Sequence, residues 1–329
     1  MIFLFGSARG GSTWLGKILD SHPETLYLHE PDIVDRGDDL LPFWFEGGVT
    51  PEQKANAGLY LSRLCGQRNL RAVGTRPIFR KAYHQSLQHH ARMALIYLGK
   101  GIGRQIPSIE EKISIPDFSR LAASAPLVVK SVSALGRAEA LIEGACGSMK
   151  PILLLRNPCA VVQSFLDGIR IGAMGHPPRI THLFATRSAR SLGVTGQPDP
   201  DDLVDNLVWG WVLANAEAHA AVAKAGGIVL QYEALAADPI GVSKKLFADL
   251  DLEWSKATSD YIAEASQSRD GGYYSVSRDP NEAANRWRLK MDPEIFARVR
   301  DVACRSSIGR AYFSSDDRTA LSSNSSIAD

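Results

Sequence analysis

The feature that most constrains the fold is a glycine-rich turn between a short apolar run and a helical stretch near the start of the chain. Residues 1–5 are continuously apolar, Gly10 and Gly11 follow, and apolar residues then recur at helical spacing from Leu15. An apolar run without alternation is typical of a buried strand in a parallel sheet. A strand that enters a helix through such a turn presents backbone N–H groups at the helix N-terminus, so the pattern predicts a phosphate site.

The same turn lacks the lysine of a loop that binds nucleoside triphosphates. Gly6, Gly11 and Thr13 match the spacing of the pattern G-x-x-x-x-G-K-[ST], but Ser12 stands at the lysine position. A triphosphate is normally met by that lysine and by Mg²⁺. Because Arg9 is the basic residue of this loop instead, the sequence predicts a phosphate ligand whose transferred group carries less charge and needs no metal.

A second strand–turn–helix element carries another candidate anion site. The apolar run 152–155 ends at Arg156, Asn157 and Pro158 can start a helix, and Ser164 lies nearly two turns into it. Both side chains can reach one anion beside the edge of the sheet. An arginine at a strand end is also commonly the ion-pair partner of a neighbouring helix, and this second interpretation stays open on this motif alone.

The alternation of apolar runs and helical stretches predicts the fold class. Further runs at 25–28, 127–129 and 228–231 are separated by helical patterns, including 51–65 and 78–98. The predicted fold is α/β, a three-layer sandwich with a central parallel sheet of the P-loop NTPase-like type. The predicted organisation is a single domain over 1–313, with a helical acceptor-side insertion at 35–122, a lid-like loop at 173–200 and a disordered tail at 314–329.

Charge and hydropathy exclude several classes of function. The chain has 37 Lys and Arg residues against 36 Asp and Glu residues. This balance argues against a general nucleic-acid or membrane-surface binder, which carries a basic excess. No apolar run approaches the roughly 18 residues of a membrane span. Since the first strand begins at residue 1 without a basic leader region, we expect a cytoplasmic protein.

Taken together, the two motifs resemble those of the sulfotransferases that use 3′-phosphoadenosine 5′-phosphosulfate (PAPS). The loop of that family runs roughly [KR]-[ST]-G-[ST]-[ST]-x-[LF], and its second element is R-[DN]-P followed by a serine. The residues that match are Arg9, Gly10, Gly11, Ser12, Thr13, Trp14 and Leu15 in the loop, and Arg156, Asn157, Pro158 and Ser164 in the second element. Glycine at position 10, where the family has Ser or Thr, implies the loss of one hydroxyl contact.

The resemblance implies a role for each of these residues. The loop residues Arg9 to Trp14 bind the 5′-phosphosulfate of PAPS, and Arg156 and Ser164 bind its 3′-phosphate. Lys130 resembles a strand lysine that lies near the donor, and Tyr232 resembles a tyrosine that lies beside the nucleotide. PAPS is then a co-substrate, and 3′-phosphoadenosine 5′-phosphate (PAP) is a product.

The resemblance also supplies candidates for the catalytic base. Many cytosolic members carry a histidine two residues after the strand lysine, where this sequence has Val132. Carbohydrate-directed and several bacterial members carry a glutamate before a proline, and here Glu30 precedes Pro31. Glu30 is therefore the predicted general base. His29 is the alternative, although neighbouring strand residues point to opposite sides.

The predicted function is transfer of the sulfuryl group of PAPS to an acceptor hydroxyl by in-line displacement, with Arg9 and Lys130 stabilising the leaving group. The glutamate context favours a carbohydrate or glycoconjugate acceptor over a small-molecule alcohol or phenol. A P-loop small-molecule kinase and a nucleotide-binding module without catalysis are the competing functions. No nucleic-acid partner is expected.

Overall fold

Five parallel strands form the central sheet of the protein in the computed structural model. The structure describes residues 1–116, 124–194, 196–267 and 279–313. The strands are β1 (Ile2–Gly6), β2 (Leu26–His29), β3 (Leu127–Ser131), β4 (Lys150–Leu155) and β5 (Ile228–Gln231). Their spatial order is β2-β3-β1-β4-β5, and each adjacent pair is parallel. All the strands therefore direct their carboxyl ends to one edge.

Helices connect the strands and cover both faces of the sheet. They are α1 (Ser12–Ser21), α2 (Pro51–Cys65), α3 (Ser86–Gly103), α4 (Ile109–Lys112), α5 (Ala138–Gly144), α6 (Pro158–Arg170), α7 (Arg187–Ser191), α8 (Leu203–Lys224), α9 (Tyr232–Ala237), α10 (Pro239–Asp249), α11 (Lys256–Gln267), α12 (Pro280–Asn285), α13 (Pro293–Ala303) and α14 (Ser307–Arg310). Short 3₁₀ turns lie at Pro31–Ile33, Arg71–Val73, Leu135–Arg137, Thr181–Ala185 and Arg286–Leu289.

Alternate residues of β1 pack into two separate hydrophobic cores, one on each face of the sheet. The sheet is therefore the middle of three layers. Phe3 and Phe5 pack on one face with residues of α2, α5, α6, α8 and α13. Ile2 and Leu4 pack on the other face with residues of α1, α9, α10 and α11. The predicted α/β sandwich with a central parallel sheet is confirmed.

Of the two helices predicted within 35–122, one has the predicted bounds and the other begins later than predicted. The prediction 51–65 is confirmed by the bounds of α2. The helix begins there because Thr50 and Gln53 form the reciprocal hydrogen bonds of a capping box. The prediction 78–98 is wrong at its start, since α3 begins at Ser86. The buried Lys81 donates hydrogen bonds to the carbonyl groups of Asp20 and His22, and these contacts tie the chain before α3 to the end of α1.

The other irregular segments differ in how they pack. In 173–200, where residue 195 lies outside the described part, Leu183 and Ala189 are buried in the core that contains α8. Asp202 accepts a hydrogen bond from the N–H of Asp205 and so caps α8. The tail 314–329, predicted to be disordered, lies outside the described residues.

Within the described ranges, no helix is both long enough and apolar enough to cross a membrane.

Candidate functional site

A cleft of about 610 Å³ lies at the carboxyl edge of the sheet. The cleft is lined by the loop after β1, by the ends of β2, β3 and β4, by one side of α6 and by the segment 280–290. Pockets for nucleotide-sized ligands have volumes in this range. In an open parallel sheet, ligands bind at this edge, because the loops that follow the strands gather there.

The glycine-rich loop is built around two left-handed residues. Arg9 has φ 63° and Gly11 has φ 85°. The N–H of Gly10 donates to the carbonyl oxygen of Ser7 over 3.0 Å. A Cβ atom on Gly10 would lie 2.8 Å from that oxygen, so this turn has no room for the Ser or Thr of the family pattern. Helix α1 begins at Ser12, and the N–H groups of Trp14 and Leu15 donate to the carbonyl oxygen of Gly11, so those of Ser12 and Thr13 are the ones that a helix start offers to a ligand.

Tyr232 packs directly against this loop. A Cβ atom on Gly11 would lie 2.3 Å from Cδ2 of Tyr232, so only glycine fits there. The rings of Trp14 and Tyr232 meet edge to face, with 5.8 Å between their centroids. The guanidinium of Arg156 lies 4.5 Å from the centroid of the Tyr232 ring, which is a cation–π contact. Residues far apart in the sequence thus form one wall of the cleft.

The two predicted anion-binding elements come together in space. Nε of Arg9 donates to Oγ of Ser164 over 2.9 Å, and Nη1 of Arg156 donates to the carbonyl oxygen of Arg9 over 2.9 Å. Nη2 of Arg156 donates to the carbonyl oxygen of Ala283 over 2.6 Å. Nε of Arg156 is buried without a hydrogen-bond partner among the described residues. Two guanidinium groups and a hydroxyl therefore concentrate donors and positive charge beside the loop, and this donor set suits an anionic ligand.

Lys130 and Glu30 form an ion pair in the cleft. Nζ of Lys130 contacts Oε1 of Glu30 and donates to Oγ1 of Thr13 over 3.3 Å. The side chain of Lys130 is 1% exposed, and burial lowers its pKa while the charge of Glu30 opposes that shift. The pair arises from strand register, because His29 lies opposite Lys130 and the N–H of Glu30 donates to the carbonyl oxygen of Lys130 over 2.7 Å.

His29 lies on the same side as Glu30, contrary to the prediction from strand alternation. Glu30 leaves the strand with φ 47°, so the alternation ends at His29. Nε2 of His29 lies 3.8 Å from Oε1 of Glu30, and the Tyr27 hydroxyl hydrogen-bonds Nδ1 over 2.9 Å. Burial, and then the charge of Lys130, hold the pKa of His29 well below its usual value. His29 is therefore a neutral imidazole at neutral pH.

Three residues that line the cleft, Gln163, Asp167 and Lys290, were not singled out from the sequence. Asp167 on α6 accepts hydrogen bonds from Nε2 of Gln163 and Nη2 of Arg170, each over 3.2 Å. Lys290 lies 3.7 Å from the Asp167 carboxylate and also lines the cleft. Gln163, Asp167 and Arg170 are three or four residues apart, so they lie on the same face of α6. This spacing is the sequence signal that could have identified Gln163 and Asp167 as neighbours of Arg170.

The described residues contain no group of three or more His, Cys, Asp or Glu side chains that could hold a metal ion.

Comparison with known proteins gives a match over most of the chain. A family model described as the sulfotransferase family matches residues 2–256. No curated protein sequence matches the chain.

Several solved structures align with most of the chain. The sulfotransferase domain of the curacin biosynthetic pathway is 18% identical over 92% of this chain and 96% of its own, with a TM-score of 0.44. A sulfotransferase from Alicyclobacillus acidocaldarius is 16% identical over 96% of this chain and 98% of its own, with a TM-score of 0.43. A mouse sulfotransferase complexed with PAP is 11% identical over 94% of this chain and 87% of its own, with a TM-score of 0.45.

Proposed function

The chain belongs to the sulfotransferase family, and from that premise we propose that it transfers the sulfuryl group of PAPS to an acceptor hydroxyl with Glu30 as the general base. One observation carries the proposal: the Glu30–Lys130 ion pair lies in the same cleft as the glycine-rich loop and the Arg9–Ser164 contact. A base, a cation and an anion-binding loop are thus gathered at one edge of the sheet.

The donor site uses residues from both anion-binding elements. The residues that would hold the 5′-phosphosulfate are Arg9, Gly10, Gly11, Ser12, Thr13 and Trp14. Arg156 and Ser164 would hold the 3′-phosphate, and Tyr232 would lie beside the nucleotide. The absence of a Cβ atom at Gly10 and Gly11 and the gathering of two guanidinium groups beside the loop support this assignment. When bound, PAPS supplies an activated sulfuryl group, and PAP is its remaining product.

Glu30 is favoured over His29 as the base for an electrostatic reason. Protonation of His29 would create a charge in a buried position and beside the Lys130 ammonium, and burial first, then the charge of Lys130, hold its pKa well below the usual value. Protonation of Glu30 instead gives a neutral carboxyl group, so it creates no new charge in a buried position, although Lys130 then loses its carboxylate partner. We therefore assign proton removal from the acceptor hydroxyl to the Glu30 carboxylate.

Lys130 and Arg9 would stabilise the leaving group. The Lys130 ammonium contacts Glu30 and Thr13 of the loop, so it lies between the assigned base and the donor loop. Arg9 has a fixed charge and a planar fork that suits two oxygens. Positive charge held in place before the reaction stabilises negative charge as it develops in the transition state.

The acceptor is proposed to be a carbohydrate or glycoconjugate hydroxyl, and a small-molecule alcohol or phenol is the alternative. Thr75 of the segment 35–122 and Met174 of the segment 173–200 line the cleft. Both segments fall outside the motifs shared with the family, so we assign acceptor recognition to this rim.

Nucleotide selectivity tests the donor assignment. By calorimetry, we expect the wild-type protein to bind PAP about 10²-fold more tightly than 5′-AMP, because charge-assisted hydrogen bonds hold the 3′-phosphate. In Arg156→Ala this ratio falls by about tenfold. A ratio of two ligands within one variant cancels any general loss of folded protein.

Arg298→Ala is the control, since this arginine pairs with Asp202 and Asp205 outside the cleft. An unchanged ratio in Arg156→Ala would remove the 3′-phosphate assignment. Binding of Mg²⁺-ATP more tightly than PAP would support a kinase instead.

A further inference from the structure

An apolar strip lies on the outward side of α3. Leu87 is 82% exposed, Leu98 is 68% exposed and Ile102 is 49% exposed, and Ile106 just beyond the helix is 53% exposed. We call these four residues, with the exposed Arg76 and Arg104, the α3 surface. Large aliphatic side chains at these exposures are individually ordinary, but several on one side of a helix, with the exposed Ala91 and Ala94 between Leu87 and Leu98, mark an interaction site.

The strip follows from the helical spacing of α3. Ile96, Gly99 and Gly103 form the buried side of the helix. Leu87 and Leu98 are eleven residues apart, which is about three turns, so they lie on one line along the opposite side. In the part of the chain that the structure describes, this side remains open to solvent over most of the helix.

Positive charge is concentrated in the same segment. Residues 66–116 contain nine Lys or Arg residues and two Glu residues, although the whole chain is nearly balanced. Both glutamates already have basic partners, with Glu110 bound to Lys100 and Glu111 lying 4.0 Å from Arg71. Lys81 is buried and paired with Asp20, whereas Arg76 and Arg104 are exposed and contribute the basic excess to the surface.

The arginines of the α3 surface border the apolar strip. Arg76 is exposed and its guanidinium lies 4.7 Å from the centroid of the Tyr97 ring, which belongs to α3. Arg104 is exposed at the end of the helix. Among the described residues, neither arginine forms a salt bridge with a carboxylate. An apolar side flanked by unneutralised cations is typical of a helix that lies in a membrane interface.

We propose that the α3 surface docks the protein on an anionic phospholipid membrane. Aliphatic side chains enter the boundary between headgroups and acyl chains, and the arginines meet lipid phosphates. A second copy of the chain would bring two basic segments together, and a polyanionic saccharide or nucleic acid would leave the leucines and isoleucines without an apolar partner. The balanced net charge of the whole chain argues against a membrane-surface protein, but it averages out the basic excess of residues 66–116.

The surface also adjoins the mouth of the cleft. Thr75 lines the cleft and immediately precedes Arg76. A Cβ atom on Gly74 would lie 2.8 Å from Cγ of His29, so this segment packs tightly on the cleft wall. Docking through the α3 surface therefore positions the cleft mouth near the lipid headgroups. The proposal does not depend on the chemistry assigned to the cleft.

Vesicle sedimentation tests the proposal with the whole chain. We expect the protein to bind vesicles that contain about one-third phosphatidylglycerol, to bind pure phosphatidylcholine vesicles at least about tenfold more weakly, and to be released by added salt. The double variant Arg76→Gln/Arg104→Gln should weaken binding to the anionic vesicles by about 20-fold, and Leu98→Glu/Ile102→Glu by at least as much. All four sites are exposed, and circular dichroism checks that each variant is folded.

The control is Leu59→Glu/Lys245→Gln, because both side chains are exposed on other helices. Loss of binding in this control equal to that in the α3 variants would contradict a specific surface. The proposal is also overturned if the wild-type protein ignores anionic vesicles, if it binds heparin but no vesicles, or if light scattering shows a dimer that Leu98→Glu/Ile102→Glu dissociates.

Discussion

Replacing Glu30 with glutamine lowers the turnover number by about 10³-fold, the effect expected for removing a general base. The glutamine amide cannot take up the proton of the acceptor hydroxyl. Glutamine has nearly the same shape as glutamate, so packing at the end of β2 is preserved. The charge of Glu30 also opposes the fall in the pKa of buried Lys130. Without that charge the ammonium is easier to deprotonate, and the leaving group loses part of its stabilisation. Initial rates with PAPS in excess measure the loss.

Affinity for PAP separates a catalytic loss from a binding loss. In Glu30→Gln it should stay within about twofold of the wild-type value, because the carboxylate lies outside the assigned donor contacts. The matched control is Glu139→Gln: its side chain is 14% exposed, against 17% for Glu30, and it is likewise paired with basic side chains. Normal turnover in Glu30→Gln would rule out this residue as the base.

Placing alanine at position 11 destabilises the protein by about 3 kcal/mol, because backbone strain and overpacking add together. Gly11 has φ 85°, and its new Cβ atom would meet the Tyr232 ring at 2.3 Å. Since Tyr232 also contacts Trp14 and Arg156, the displaced ring disturbs the donor site as well. We expect both the urea midpoint and the affinity for PAP to fall.

Gly147→Ala isolates the backbone contribution. Gly147 has φ 83°, close to the value at Gly11, but a Cβ atom there would meet no atom within 4 Å. Its expected cost is about 1 kcal/mol, with normal affinity for PAP. Equal losses for the two variants would show that contact with Tyr232 does not matter.

Local patterns predicted the elements that carry the site. Each of these patterns involves only a few consecutive residues. The apolar run and the glycine-rich turn after it predict β1 and the start of α1. The second apolar run and the proline after Asn157 predict β4 and the start of α6. Parallel strands then place their following loops at one edge, which brings Arg9 and Ser164 into the same region.

Contacts between distant residues could not be predicted in the same way. The need for glycine at position 11 depends on Tyr232, which is 221 residues away in the sequence. The side chain of Glu30 lies on the same side as that of His29 because Glu30 adopts a left-handed conformation, which periodicity does not report. The contacts of Lys81 with the end of α1 hold the chain before α3, which begins after a capping box between Gln85 and Gln88. Periodicity reports neither the long-range contacts of Gly11 and Lys81 nor the backbone conformation of Glu30.

Transfer of radiolabelled sulfate from PAPS tests the central claim most directly. The wild-type protein is incubated with labelled PAPS and a panel of saccharides, glycoconjugates, small alcohols and phenols, and in parallel with ATP labelled at its γ-phosphate. We expect label from PAPS to appear on a hydroxyl of one acceptor, with one PAP formed for each transfer and the rate greatly reduced in Glu30→Gln. Transfer of phosphate from ATP, with no transfer of sulfate from PAPS to any acceptor, would contradict the proposed function.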